Sequence, residues 1–272
     1  MLSLYIVYLD VSRGSAPVYT IGGYVASVDQ WDRFRPKWLR LLSTYETKMF
    51  VPADLDLKDQ DGQRIGTYKG WSDEKMLNFQ RQAHEIIKSH RRVAVSYSIP
   101  INEFRRIKFG WMREEEGLSR LYFFSAMEAL KNVARWIKRY KVKNPIQYVF
   151  ESGDEGYDEV ESGLRLIRKD PELRARHNMQ SFARAEKDRV VQLQAAGLWA
   201  YETYKHLANQ YVARGKLPVR DSWMSLYRVY DLPYNTRFTD GDVDGVFEVY
   251  KNLGGRWEVQ DAELYKRRLG RV

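Results

Sequence analysis

The segment Leu2-Ser-Leu-Tyr-Ile-Val-Tyr-Leu-Asp-Val11, followed after a short connection by Val18-Tyr-Thr-Ile-Gly-Gly-Tyr-Val-Ala-Ser27, holds two apolar runs rich in β-branched and aromatic residues. The connection Ser12-Arg-Gly-Ser-Ala-Pro17 has turn chemistry, so the pair reads as an antiparallel hairpin. The first run ends on Asp10, and a second apolar strand, Ile146 to Phe150, ends on Glu151. Carboxylates brought together at the rim of a sheet repel each other, and a divalent cation is the usual remedy. A late apolar helix, Val191-Gln-Leu-Gln-Ala-Ala-Gly-Leu-Trp-Ala-Tyr201, is where a third acid is wanted, and it offers Gly197.

The 272 residues, 44% of them hydrophobic, suffice for one large core with an appendage. The absence of cysteine excludes disulfides, thiolate zinc sites and cysteine nucleophiles, and fits a reducing cytoplasm. Asp10 interrupts the first apolar run before it reaches the length of a secretory core or a membrane span, so a cytoplasmic protein without membrane segments is expected.

A net charge of +9 favours polyanionic partners. Residues 131–143 (KNVARWIKRYKVK) contain six basic residues and no acid, and residues 165–189 hold eight basic against four acidic. Both segments flank Glu151. If the first lies beside the acidic rim, Lys131, Arg135, Lys138 and Arg139 suit a phosphate backbone, with Trp136 and Tyr140, four apart, as a stacking strip. The plainer alternative is a solvated basic helix face.

Beyond the hairpin, Ser27 or Asp29 is placed to cap a helix over residues 30–46, which Pro36 is expected to kink or divide. The Gly22-Gly23 pair suggests a bulge or a close backbone approach. Residues 50–71, with Pro52, Gly62, Gly66 and Gly70, read as a long surface loop with one short strand. A helix to about residue 90, a strand over 92–99, a helix over 118–141, a strand to Glu151, a helix over 158–168, a strand near 179–184 and a helix over 190–214 follow, and then a helical tail broken at Thr239-Asp-Gly-Asp-Val-Asp-Gly245.

Taken in order, Asp10-Val-Ser-Arg-Gly14, Tyr19-Thr-Ile-Gly-Gly-Tyr-Val-Ala26, Gly66-Thr-Tyr-Lys-Gly-Trp-Ser-Asp-Glu74, Tyr148-Val-Phe-Glu-Ser-Gly-Asp154 and Gln192-Leu-Gln-Ala-Ala-Gly-Leu-Trp-Ala-Tyr201 resemble the marks of the bacterial family known as domain of unknown function 3800 (DUF3800). The resemblance implies an α/β, ribonuclease-H-like fold, a mixed central sheet flanked by helices. Residues 1–215 would form the core, with an inserted loop and helices at about 48–115, and 216–272 a helical C-terminal extension packed on it. It also implies a metal-dependent nuclease centre in which Asp10 and Glu151 are catalytic acids, and Asp10, Glu151 and Asp154 hold Mg²⁺ or Mn²⁺.

This sequence departs from the family pattern in three places. Gly197 stands where the late-helix motif carries an acid, Val11 replaces a glutamate beside the first acid, and Lys48-Met49 replaces a His-Met pair. Two-metal hydrolysis places two cations about 3.5 to 4 Å apart, and two carboxylates alone are few for that. On the late helix Gln194 and Tyr201 flank Gly197, whereas Glu202 lies about 140° around the wheel and is poorly placed to substitute. Asp154 reaches the rim if the chain turns at Gly153, or else caps the next helix; Glu155 and Asp188 are looser candidates. Gly197 also has a purely structural reading, close packing of helix on sheet.

His84 and His90 lack the spacing of a helical metal pair, residues 240–245 lack the ligand order of a calcium loop, and no phosphate-binding glycine loop is present. Two functions remain: a Mg²⁺- or Mn²⁺-dependent nuclease acting on nucleic acid, slightly favoured by the two strand-end acids, or a catalytically impaired domain of the same fold that binds nucleic acid or a partner protein.

Overall fold

The computed structural model of the chain describes residues 3–106, 117–153, 156–212, 218–227 and 235–237. The hairpin pairs β1 (Tyr5–Arg13) with β2 (Val18–Ser27) in antiparallel register, Asp10 opposite Gly22. Helix α1 (Val28–Thr44) starts in a capping box, Ser27 accepting from the Gln30 amide while the Gln30 side chain returns to the Ser27 amide. Pro36 neither divides nor restarts it. The proline is exposed, and so is Asp32, the residue whose carbonyl it leaves without a helical donor.

Helix α2 (Asp73–His90) leads into β3 (Val93–Pro100), which pairs antiparallel with β2. The segment 48–115, expected as an insertion, therefore supplies a strand of the central sheet. A short helix, α3 (Ile101–Arg106), follows directly. Then come α4 (Gly117–Tyr140), β4 (Ile146–Glu151), α5 (Tyr157–Lys169), α6 (Pro171–Arg176), β5 (Met179–Ala185), α7 (Gln192–Val212), α8 (Asp221–Leu226) and the edge strand β6 (Asn235–Arg237). The sheet order is β5-β4-β1-β2-β3-β6, with β4 parallel to β1 and β5 parallel to β4. A three-stranded antiparallel meander continued on the far side of β1 by two parallel strands is the ribonuclease-H-like topology, and the fold is α/β of that type.

The strand alternation divides the core. Val7, Leu9 and Phe150 face one layer, filled by α4 and α5; Tyr8 and Val149 face the other, filled by α1, α2 and α7. Asp10 and Glu151 share the parity of Tyr8 and Val149, so both point toward α7. Gly22 lets that helix approach the hairpin closely: a Cβ there would lie 3.1 Å from the Ala200 Cα.

The long loop holds two single-turn 3₁₀ segments and an isolated bridge between Lys58 and Arg64, not a strand. Two carboxylates fix it: Asp73, at the start of α2, pairs with Lys58 and Arg64 of the loop, and Asp56 of the loop pairs with Arg220 and Lys205. In the C-terminal extension, α8 packs on α7 and α2, while β6 adds a parallel edge beside β3, so the extension is not helical throughout. Residues 239–245 lie outside the described residues. Among the described residues no helix is long and apolar enough to cross a membrane.

Candidate functional site

The parallel register of β1 and β4 runs to Leu9 opposite Phe150, and one further step sets Asp10 alongside Glu151. Both are withdrawn from solvent, 4% and 8% exposed. Each carboxylate is partly satisfied by the backbone just beyond it: the Val11 N–H donates to Asp10 Oδ1 at 2.7 Å and the Gly153 N–H to Glu151 Oε2 at 2.7 Å. Asp154 and Glu155 lie outside the described residues, and Asp188 is exposed.

The second oxygen of Asp10 decides the character of the site. Lys187, in the β5–α7 connection, places Nζ 3.1 Å from Asp10 Oδ2. On the other side that oxygen lies against α7, where a Cβ built on Gly197 would come within 2.5 Å of it. A side chain at position 197 is thus incompatible with Asp10 as it stands. Glycine lets the carboxylate rest on the helix backbone, and a lysine supplies the positive charge beside it. Burial pushes the Asp10 carboxyl above its ordinary range, Glu151 adds to the rise, and Lys187 with the Val11 amide opposes it.

Lys187 is placed by its backbone. Gln194, buried on the same face of α7 as Gly197, donates from Nε2 to the Lys187 carbonyl at 2.8 Å. Its Oε1 accepts from Trp38 Nε1 at 2.9 Å and from the Phe50 N–H at 3.0 Å. One amide side chain thereby ties α1, the start of the long loop and the β5–α7 connection to α7. Tyr201, the next residue of that face, donates to Asp56 of the loop. Glu202 points elsewhere: fully buried, it accepts from Arg220 and Ser222 and holds α8 against α7.

Among the described residues the donor set does not fit a pair of divalent ions. Two carboxylates reach the rim among the described residues, one is engaged by an ammonium group, and position 197 brings no ligand. Among those residues no group of three or more acids or histidines could hold a metal ion. Sequence reasoning missed Lys187. It is one of eight basic residues in its segment, and nothing in their spacing distinguishes it.

The basic stripe requires correction. Trp136 is 3% exposed and packs edge-on against Tyr5 in the core, so it is not a stacking surface. Lys131 is paired with buried Glu128, and Arg135 donates to Asn132 while remaining exposed. Lys138, Arg139 and Tyr140 are exposed. These residues lie on the α4 side of the sheet, the face opposite the acidic rim, and α4 ends where the chain turns to start β4. Glu151 closes the other end of that strand, about 17 Å along at the usual rise per residue. The stripe and the two acids therefore do not form one site.

No family model matches the chain, and no curated protein matches it in sequence. Among solved structures, a chain from the PCNA:RNase HII complex of Archaeoglobus fulgidus aligns with 95% of this chain and 96% of its own length, at 16% identity and a TM-score of 0.37.

Proposed function

We propose that the protein is a nucleic-acid-binding member of the ribonuclease-H-like fold, a divergent relative of the DUF3800 family, that does not carry out two-metal hydrolysis. The observation that carries this reading is the Lys187–Asp10 pair seated against Gly197, which meets the charge of the buried acid from within the chain. An ammonium group neutralises a carboxylate but does not coordinate a water and lower its pKa as a divalent ion does. The net charge of +9 supports a polyanionic partner.

A second reading is favoured by the juxtaposition of Asp10 and Glu151 on the α7 side. Those two carboxylates would hold one Mg²⁺ or Mn²⁺, with substrate phosphate completing the shell once Lys187 swings away. The ion would then supply Lewis-acid assistance to phosphodiester hydrolysis.

One experiment separates the two. The purified chain is incubated with labelled single- and double-stranded DNA and RNA in Mn²⁺ or in EDTA, beside an Asp10→Asn variant. The proposed function predicts salt-sensitive binding that is the same in EDTA and survives the substitution, with no cleavage. Mn²⁺-dependent cleavage lost in Asp10→Asn would overturn it in favour of the second reading.

A further inference from the structure

Helix α6, too short for periodicity to reveal, brings a second set of cations against α4. A groove of about 550 Å³ between the two helices is lined by Lys131, Arg135, Lys138 and Arg176, with Ala134, Ile137 and Ala175 as its floor. A second depression, also about 550 Å³, lies at the starts of β4 and β5 and is lined by Lys143, Arg168 and Arg174 together with Ala175. Ala175 lines both, so the two adjoin. Neither is lined by a carboxylate.

The nearby acids are already engaged or lie off the groove. Glu128 is buried against Lys131, and Asp170 accepts from the amides of Glu172 and Leu173 at the start of α6. Glu172 itself is exposed and lines neither depression. Lys138, Lys143, Arg168, Arg174 and Arg176 are exposed and make no ion pair among the described residues.

We infer that these two adjoining cationic depressions together form the surface on which the protein grips the phosphodiester backbone of a polynucleotide, a location that rests on the nucleic-acid-binding reading above and refines it. Five unpaired cations spread over two adjoining depressions exceed what a single phosphate group engages. They match a ligand with a charge about every 1.7 Å of its axis. The apolar floor is two alanines and a buried isoleucine and offers no large exposed side chain for insertion into a lipid surface. Such a backbone track lies away from the acidic rim, on the other face of the sheet, so nucleic acid bound there does not present its phosphates to Asp10.

The test is a triple variant, Lys138→Gln, Arg174→Gln and Arg176→Gln, compared with a charge-matched control on exposed positions of α1, Arg35→Gln, Lys37→Gln and Arg40→Gln. Circular dichroism establishes that both fold. Binding of a labelled DNA duplex is titrated across salt concentration, beside anionic phospholipid vesicles. Each phosphate contact contributes about 0.9 to the slope of log affinity against log salt, which corresponds to about 15-fold in affinity at 50 mM salt relative to 1 M. The groove variant is expected to lose up to about 10³-fold in affinity at low salt, with a slope shallower by about 3, while the control stays close to the unchanged protein. Duplex binding in which the groove variant matches the unchanged protein, or in which the control loses as much, overturns the location and leaves the proposed function standing. Failure of the unchanged protein to bind any polynucleotide, or binding to vesicles alone, overturns both.

Discussion

Replacing Lys187 with methionine should make visible what the lysine does at the rim. The substitution keeps most of the side-chain volume and removes the charge 3.1 Å from Asp10 Oδ2. At an effective dielectric of about 20, the Coulomb energy at that separation is about 5 kcal/mol. Because Lys187 is 35% exposed and would otherwise be hydrated, solvent screening reduces the net contribution to about 2 kcal/mol. Asp10, at 4% exposure, has little access to replacement water, so the loss falls on the folded state.

The cost also depends on pH in a defined sense. Burial holds the Asp10 pKa above its unfolded value, so its favourable contribution is complete below the unfolded pKa and is lost as pH rises through the folded one. Without Lys187 the folded pKa moves higher still. The variant's penalty is therefore largest at pH 8 and shrinks as the carboxyl takes up a proton on the acid side. Thermal unfolding of Lys187→Met should show a midpoint lower by about 4 to 8 °C at pH 8. In an Asp10→Asn background the same substitution should cost almost nothing, since the amide keeps the Val11 hydrogen bond and carries no charge. An equal cost of Lys187→Met in both backgrounds, or a cost that does not change with pH, would refute the assignment of Lys187 as the counter-ion of Asp10.

Restoring an acid by Gly197→Asp should destabilise the protein by about 1 to 3 kcal/mol, because the new Cβ would lie 2.5 Å from Asp10 Oδ2 and a third negative charge enters a closed rim. Combined with Lys187→Met, it should gain thermal stability from millimolar Mn²⁺, whereas the unchanged protein should not; equal stabilisation of both would count against the steric argument. His84 and His177 are buried neutral, each with its pKa pushed down to about 4 by desolvation. Their contribution is complete above the unfolded value near 6.5 and is lost as pH falls toward the folded one, so each should remove about 2 kcal/mol of unfolding free energy by pH 5. His84→Asn should flatten about half of that acid-side decline in chemical denaturation at pH 7.5 and 5, and an unchanged decline would show that this histidine does not carry it.

The parts of the fold legible in the sequence are those fixed by local periodicity. The apolar runs along Tyr5–Arg13 and Ile146–Glu151 mark both strands, and the parity of Tyr8 with Asp10 and of Val149 with Glu151 sets the acids on one face. The tight Gly-Gly strand and the small residues of the late helix signal a close approach, which the structure places at Gly22 against Ala200 and at Gly197 against Asp10. Interactions between distant segments left no such trace. Lys187 meets Asp10 across 177 positions of sequence. Trp136 belongs to a helix whose basic run looks exposed throughout, yet its position turns it into the core beside Tyr5. Helix α6 is too short for periodicity to reveal, although Asp170 followed by Pro171 carries its capping signal. Pro36 misled for the opposite reason: a local rule predicted a break, and exposure of that side of α1 made the break unnecessary.

Anomalous diffraction from crystals soaked in Mn²⁺ with a DNA duplex bound is the most direct test of the acidic rim. The Lys187–Asp10 pairing predicts no pair of peaks between Asp10 and Glu151 and an ammonium group of Lys187 still on Asp10 Oδ2. Two peaks about 3.5 to 4 Å apart, ligated by Asp10 and Glu151 with Lys187 displaced, would contradict it.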